Sequence, residues 1–209
     1  MVCRANVCRS PFAEELMRCR LSAAGRSDIT VSSAGVRAAE GMALCSNAAT
    51  MLGGQDGFDS WPADRRSRRL DRDMIEQSDL ILTASVEQRS AVAVLHPVAR
   101  HRAFTLMEAA VILRQLSLKN ENNEAGLLAS DRPLSELTAQ MYALRGSLPL
   151  VIPDSRAILR SIRSLDVQMN EWDIGDGHTN GGRAHRRTLR QVHDASLDIA
   201  AALAQLEVQ

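Results

Sequence analysis

Short β-prone runs alternate with longer stretches of helical periodicity along this chain. Ile29-Thr30-Val31-Ser32 reads as a strand closed by Ser33-Ala34-Gly35. Leu80-Ile81-Leu82-Thr83 is a buried-strand candidate, and Phe104-Thr105-Leu106 is a briefer one. Between them the apolar spacing is helical. Phe12, Leu16, Cys19 and Ala23 share a face, with Ser10 as the expected N-cap, Pro11 at the first helical position and Gly25 as the stop. Further helices are predicted over Met42–Leu52, over a short segment after the Arg-rich stretch Asp64–Arg72, and over Val86–Leu95 and Met107–Leu116. This alternation predicts an α/β fold with a small parallel sheet. Lys119–Asp131 is polar and reads as a loop, whereas Ser135–Leu144 and Ser155–Met169 read as helices. Residues from about 117 to 171 are therefore expected to form a helical insertion within one domain spanning 1–209. A Gly-rich loop, Trp172–Gly182, leads into a long amphipathic helix over Arg183–Leu206, with Leu189, Val192, Leu197, Ile199 and Leu203 toward its buried side.

Composition narrows the function classes. The 209 residues are 45% hydrophobic but only 3% aromatic, so the core must be aliphatic. Lys+Arg and Asp+Glu both number 25, which argues against a basic nucleic-acid footprint and an acidic tail. No apolar run approaches the ~20 residues a membrane span needs, and no secretory leader is apparent. The expectation is a cytoplasmic protein with no nucleic-acid or membrane partner; its oligomeric state is not legible. The four cysteines, Cys3, Cys8, Cys19 and Cys45, crowd the first quarter and read as thiols of a reducing compartment. The histidines (96, 101, 178, 185, 193) form no i,i+4 pair and have no C-x-x-C partner, so no metal site is expected. Nucleotide-binding glycine motifs are missing from the sequence. Arg65, Arg66, Arg68, Arg69 and Arg72, interleaved with Asp64, Asp71 and Asp73, read as a solvated face.

The segment Cys3-Arg4-Ala5-Asn6-Val7-Cys8-Arg9-Ser10-Pro11 carries the chemistry. It sets a cysteine on a tight loop and an arginine six residues later, at the mouth of a helix. Backbone N–H groups of such a loop can converge on an anion, and the helix N-terminus adds its partial positive charge. A sulfur placed there is favoured as the nucleophilic thiolate. Arg9 offers a planar fork for two phosphate oxygens, and Ser10 can donate to the thiolate. Cysteine and arginine at that spacing alone are weak evidence. The longer string C-x-x-N-x-C-R-S-P followed by A-E is far rarer by chance.

This string resembles the active-site loop of the low-molecular-weight protein-tyrosine phosphatases, C-x-G-N-x-C-R-S followed by P-x-A-E. Cys3, Asn6, Cys8, Arg9, Ser10, Pro11, Ala13 and Glu14 match. Weaker echoes follow in order at Ser33-Ala34-Gly35, Ser67-Arg68-Arg69-Leu70, Asp79-Leu80-Ile81-Leu82 and Phe104-Thr105-Leu106-Met107-Glu108. The resemblance implies a doubly wound sheet of four parallel strands and hydrolysis of phosphotyrosine in proteins without metal or other cofactor. It implies that Cys3 attacks phosphorus and that Arg9 and the loop Arg4, Ala5, Asn6, Val7, Cys8 and Ser10 bind the phosphate, Asn6 holding its shape. Cys8 would be either a reversible disulfide partner of Cys3 or a buried small hydrophobe.

The family also uses an aspartic acid, usually before proline, to protonate the leaving group. Asp176 is the best placed candidate, with Asp173 the fallback; Asp154 follows proline and reads as a helix cap. Gly177 stands in place of that proline, which suggests a looser acid segment, and His178 falls where the family often carries an aromatic. Ala5 replaces a glycine, which predicts strain at a positive φ. Only Met1 and Val2 precede Cys3, where the family has a longer strand. The expectation is a truncated first strand, a start set too far downstream, and neighbouring strands deprived of a partner. Rival readings are a phosphate- or phosphopeptide-binding relative without turnover, an arsenate reductase and a phosphoarginine phosphatase. The reductase needs cysteines far downstream, and none follows Cys45. The apolar Val7, where phosphoarginine enzymes tend to carry threonine, tilts towards tyrosine.

Overall fold

The computed structural model describes residues 1–53, 61, 64–121, 133–145, 172–179 and 181–206. Four short strands, β1 (Val2–Cys3), β2 (Ala34–Gly35), β3 (Ile81–Thr83) and β4 (Ala103–Thr105), form a parallel sheet in the order β2-β1-β3-β4. The helices are α1 (Arg9–Ala23), α2 (Ser46–Leu52), α3 (Arg72–Glu76), α4 (Val86–Leu95), α5 (Leu106–Glu121), α6 (Pro133–Leu144) and α7 (Gly182–Ala204).

Side-chain alternation along the strands explains the double winding. Leu82 and Phe104 point into a large aliphatic core with α1, α5 and α7, whereas Val2, Ile81 and Ala103 point into a smaller one with Ile75 of α3 and Val92 of α4. Burying both faces is what a parallel sheet requires. The first strand, short as it is, keeps both neighbours: Val2 is in register with Ala34 on one side and with Thr83 on the other. The expected loss of partners therefore does not occur. Two residues suffice because the pairing continues just outside the strand, where Ala34 N donates to Met1 O and Val36 N to Cys3 O.

The strand expected at Ile29–Ser32 falls later, at Ala34–Gly35, since these are the residues abreast of Val2 and Cys3. Ile29 and Val31 instead pack partly buried against the larger core. Within the expected insertion, α6 buries Leu137 and Met141 and packs on α5. Ser155–Met169 lies outside the described residues. No described helix is long and apolar enough to cross a membrane.

Candidate active site

The strand β1 ends at Cys3, and α1 begins at Arg9. Residues 4–8 must therefore turn the chain from the C-terminal end of an inner strand to the helix within one loop. Its carbonyls face the scaffold: Cys3 O, Arg4 O, Val7 O and Cys8 O accept from the amides of Val36, Arg37, Cys45 and Phe12 at 2.8–3.0 Å. Across each planar trans peptide the N–H points opposite to its C=O. The amides of Arg4, Ala5, Cys8 and Arg9 are thus turned away from those partners and towards the inside of the loop.

The thiol of Cys3 is buried and receives two hydrogen bonds, from Asn6 N at 3.3 Å and from Ser10 Oγ at 3.0 Å. Ser10 is not the N-cap of α1, a place taken by Cys8. Its hydroxyl is aimed at sulfur instead. Asn6 sits at φ 53°, the only positive φ among the described non-glycine residues. The strain expected at Ala5 is therefore absent, because the left-handed turn falls one residue later on a side chain that tolerates it.

Asn6 is fully buried and saturated. Its Nδ2 donates to Ser10 Oγ at 2.9 Å and to Ser33 Oγ at 2.7 Å, and its Oδ1 accepts from Arg68 N at 2.9 Å. Ser33 donates onward to Glu14, which also pairs with Arg65. The Arg-rich stretch is thus not simply a solvated face, since Arg65 and Arg68 brace the loop from behind. Gly35 completes the brace. A Cβ there would lie 2.8 Å from both Arg4 O and Asn6 N, too close for any side chain. Ser33 and Gly35 fall in the Ser-Ala-Gly echo and Arg68 in the Ser-Arg-Arg-Leu echo, whereas Arg65 reads only as part of a solvated face; what the four do shows only in three dimensions.

Arg9 is 4% exposed and links the loop to the segment before α7. It donates to Ile174 O at 2.8 Å and pairs with Asp176 Oδ2 at 2.9 Å. Asp173, the fallback acid, accepts from Val86 N at 2.6 Å at the start of α4, away from the sulfur loop's arginine. Ile174 N bonds Ala84 O at 2.8 Å, and Thr188 Oγ1 donates to Gly175 O at 3.2 Å. The acid segment is therefore fastened at both ends, contrary to the looseness expected from Gly177. A Cβ at Gly177 would meet Thr188 Oγ1 at 2.5 Å and Ala184 O at 2.6 Å. The glycine permits close approach to α7, where proline or alanine cannot fit. Gly177→Ala is expected to cost about 1–3 kcal/mol of stability through overpacking against backbone. An unfolding midpoint in urea equal to that of the parent chain would refute that packing.

Distant residues also meet behind the loop. Cys8 Sγ lies 2.9 Å and Cys45 Sγ 3.6 Å from Nε2 of the buried His185, and the exposed His178 ring stands edge-on to His185 at 5.0 Å between centroids. Hydrogen bonding from Cys8, and then the Ala48 and Asn47 amides of α2, pull the Cys45 thiol below its ordinary range despite burial. Donation to Cys45, and then burial, push Cys8 upward. Sequence spacing gave no hint of this group, because its members come from four separate segments.

Residues 1–115 match the family model described as low molecular weight phosphotyrosine protein phosphatase. The chain belongs to that family. Over 108 residues it is 31% identical to a probable low molecular weight protein-tyrosine-phosphatase EpsP of Ralstonia solanacearum, covering 52% of this chain and 69% of the relative. It is 29% identical over 106 residues to the low molecular weight protein-tyrosine-phosphatase Ptp of Acinetobacter johnsonii, covering 51% and 69%. Among solved structures, the tyrosine phosphatase amsI of Erwinia amylovora superposes with a TM-score of 0.57 at 17% identity, over 96% of this chain and 89% of that one. The YwlE arginine phosphatase of Geobacillus stearothermophilus does so with a TM-score of 0.56 at 19% identity, over 97% and 89%. These two share the fold. Membership makes this low molecular weight phosphatase a hydrolase that removes phosphate through a cysteine nucleophile, with phosphoproteins as its general substrate class.

Proposed function

We propose that this phosphatase dephosphorylates phosphotyrosine in proteins, with Cys3 as nucleophile, Arg9 as phosphate clamp and Asp176 as general acid. The observation that carries this reading is the position of Arg9, whose guanidinium touches Asp176 at 2.9 Å at the end of the loop that holds Cys3. One buried cation thus joins nucleophile loop and acid segment.

In the proposed cycle the Cys3 thiolate attacks phosphorus in line. The S–P bond forms as the P–O bond to the phenol breaks, and Asp176 gives its proton to the leaving oxygen. The Arg9 guanidinium and the inward amides of Arg4, Ala5, Cys8 and Arg9 hold the three equatorial oxygens, where charge is spread in the transition state. Asp176 pairs with the Arg9 guanidinium. An arriving phosphate dianion competes for that guanidinium and releases the carboxyl group to face the leaving oxygen. Water activated by the Asp176 carboxylate then attacks the cysteinyl phosphate, expelling inorganic phosphate and restoring the thiolate.

Phosphoarginine is the second reading, favoured by the fold-level likeness to an arginine phosphatase. Against it stands the apolar Val7, partly buried on the core side of the loop, which offers no hydroxyl to a guanidino group. The test compares turnover of a phosphotyrosine peptide, p-nitrophenyl phosphate and a phosphoarginine peptide. Tyrosine preference is expected. Faster release from phosphoarginine would transfer the proposal to the second reading, and no turnover by a folded sample would leave only a phosphate-binding relative.

A further inference from the structure

Four potential metal ligands converge at the back of the sulfur loop, and none of their side chains takes part in the phosphoryl chemistry. Cys8, Cys45, His178 and His185 each offer one ligand atom, and these atoms all lie within 4.8 Å of one another. We infer that Cys8, Cys45, His178 and His185 form a tetrahedral zinc site that staples the nucleophile loop to the acid segment.

The two distances to His185 Nε2, 2.9 and 3.6 Å, bracket the separation that the metal demands. With Zn–S near 2.3 Å and Zn–N near 2.0–2.1 Å, the edges of a tetrahedral Cys2His2 site are about 3.4–3.8 Å long. Cys45 Sγ already stands 3.6 Å from His185 Nε2, and Cys8 Sγ at 2.9 Å needs only a small outward movement. Two thiolates and two neutral imidazoles balance the dication, and two protons leave to solvent on binding. No electron is transferred.

A side chain that could orient His185 stands beside it. The Asn47 amide nitrogen Nδ2 lies 3.3 Å from His185 Nδ1. Turned over about its terminal bond, the amide would present its oxygen instead, accept the Nδ1 proton and leave Nε2 free to coordinate. Three of the ligands are buried and His178 is exposed, which gives the ion an entry path and a last ligand to close over it. The alternative use of two neighbouring thiols, a Cys8–Cys45 disulfide, leaves the convergence of two imidazoles on the same point without purpose.

The expected consequence is mechanical. Cys8 belongs to the loop, Cys45 immediately precedes α2, His178 follows Asp176 by two residues, and His185 lies in the first turn of α7. A bound ion would fix the distance between the Cys3 loop and Asp176, and would withhold Cys8 from any disulfide with Cys3.

The test uses the full chain purified under reducing conditions, with metal content measured directly and the chelated protein titrated with Co2+ and Zn2+. One equivalent of zinc per chain is expected, along with the visible absorption of tetrahedral cobalt bound to thiolates, abolished by competing zinc. Cys45→Ser and His178→Ala are each expected to weaken zinc binding about 100-fold or more, since even outer-shell losses cost 10- to 100-fold. His178 is exposed, so its variant keeps the fold intact for comparison. A folded chain with four titratable thiols and no cobalt spectrum would overturn the proposal, as would a Cys8–Cys45 disulfide found in metal-free protein. These readouts do not depend on turnover, so they stand or fall apart from the phosphatase assignment.

Discussion

Cys3→Ser is expected to lower turnover of p-nitrophenyl phosphate and of a phosphotyrosine peptide by at least about 10,000-fold, the scale on which loss of a nucleophile is felt. The reason is charge. Asn6 N and Ser10 Oγ both donate to the sulfur, an arrangement that stabilises an anion at that atom. A serine hydroxyl remains neutral there near pH 7 and presents a much weaker nucleophile to phosphorus. Sulfur to oxygen is a small change in volume, and Cys3 has its backbone in the sheet, so the fold should persist. The variant should still bind the phosphopeptide, because Arg9 and the loop amides are untouched. Calorimetric binding together with initial rates checks both halves. Residual turnover within tenfold of the parent chain would move the nucleophile to another thiol, with Cys8 the nearest in sequence.

Asp176→Asn is expected to lower kcat by about 100- to 10,000-fold on aryl phosphates with basic leaving groups, the range general acid catalysis supplies. The loss should shrink with p-nitrophenol, which leaves readily without a proton. That dependence on the leaving group separates a proton donor from a residue that merely shapes a turn. KM should stay level or fall, since the amide no longer competes with phosphate for Arg9 as strongly as the carboxylate does. Asp173→Asn is the control. Its carboxylate accepts from Val86 N, so it should affect stability by about 1 kcal/mol, as caps do, and leave the leaving-group dependence unchanged. Reversed behaviour of the two variants would reassign the acid.

How far the site was legible varies residue by residue. Cys3, Asn6, Arg9 and Ser10 were readable because a loop that must hold an anion needs particular residues at fixed spacing, and the whole device fits within one turn of chain. Ser10 read both as a helix cap and as a donor to the thiolate, and the structure decides for the sulfur. Gly177 read as slackness because a glycine's freedom is visible in sequence, whereas the carbonyl of Ala184 that forbids anything larger is not. Arg65 and Arg68 read as a solvated run for the same reason: nothing local marks Glu14, Ser33 and Asn6 as their partners.

The sequence by itself determined the α/β alternation, the aliphatic core and the chemistry of the loop at residues 3–10, all set by neighbours a few positions apart. Only the tertiary structure decided which aspartate meets Arg9, that β1 has a partner on each side, and that Cys8, Cys45, His178 and His185 come together. Those pairings join residues up to 177 positions apart, as Cys8 and His185 are. They arise because burying the apolar face of α7 against α1 and α5 carries Asp176 to Arg9 and the histidines to Cys8 and Cys45.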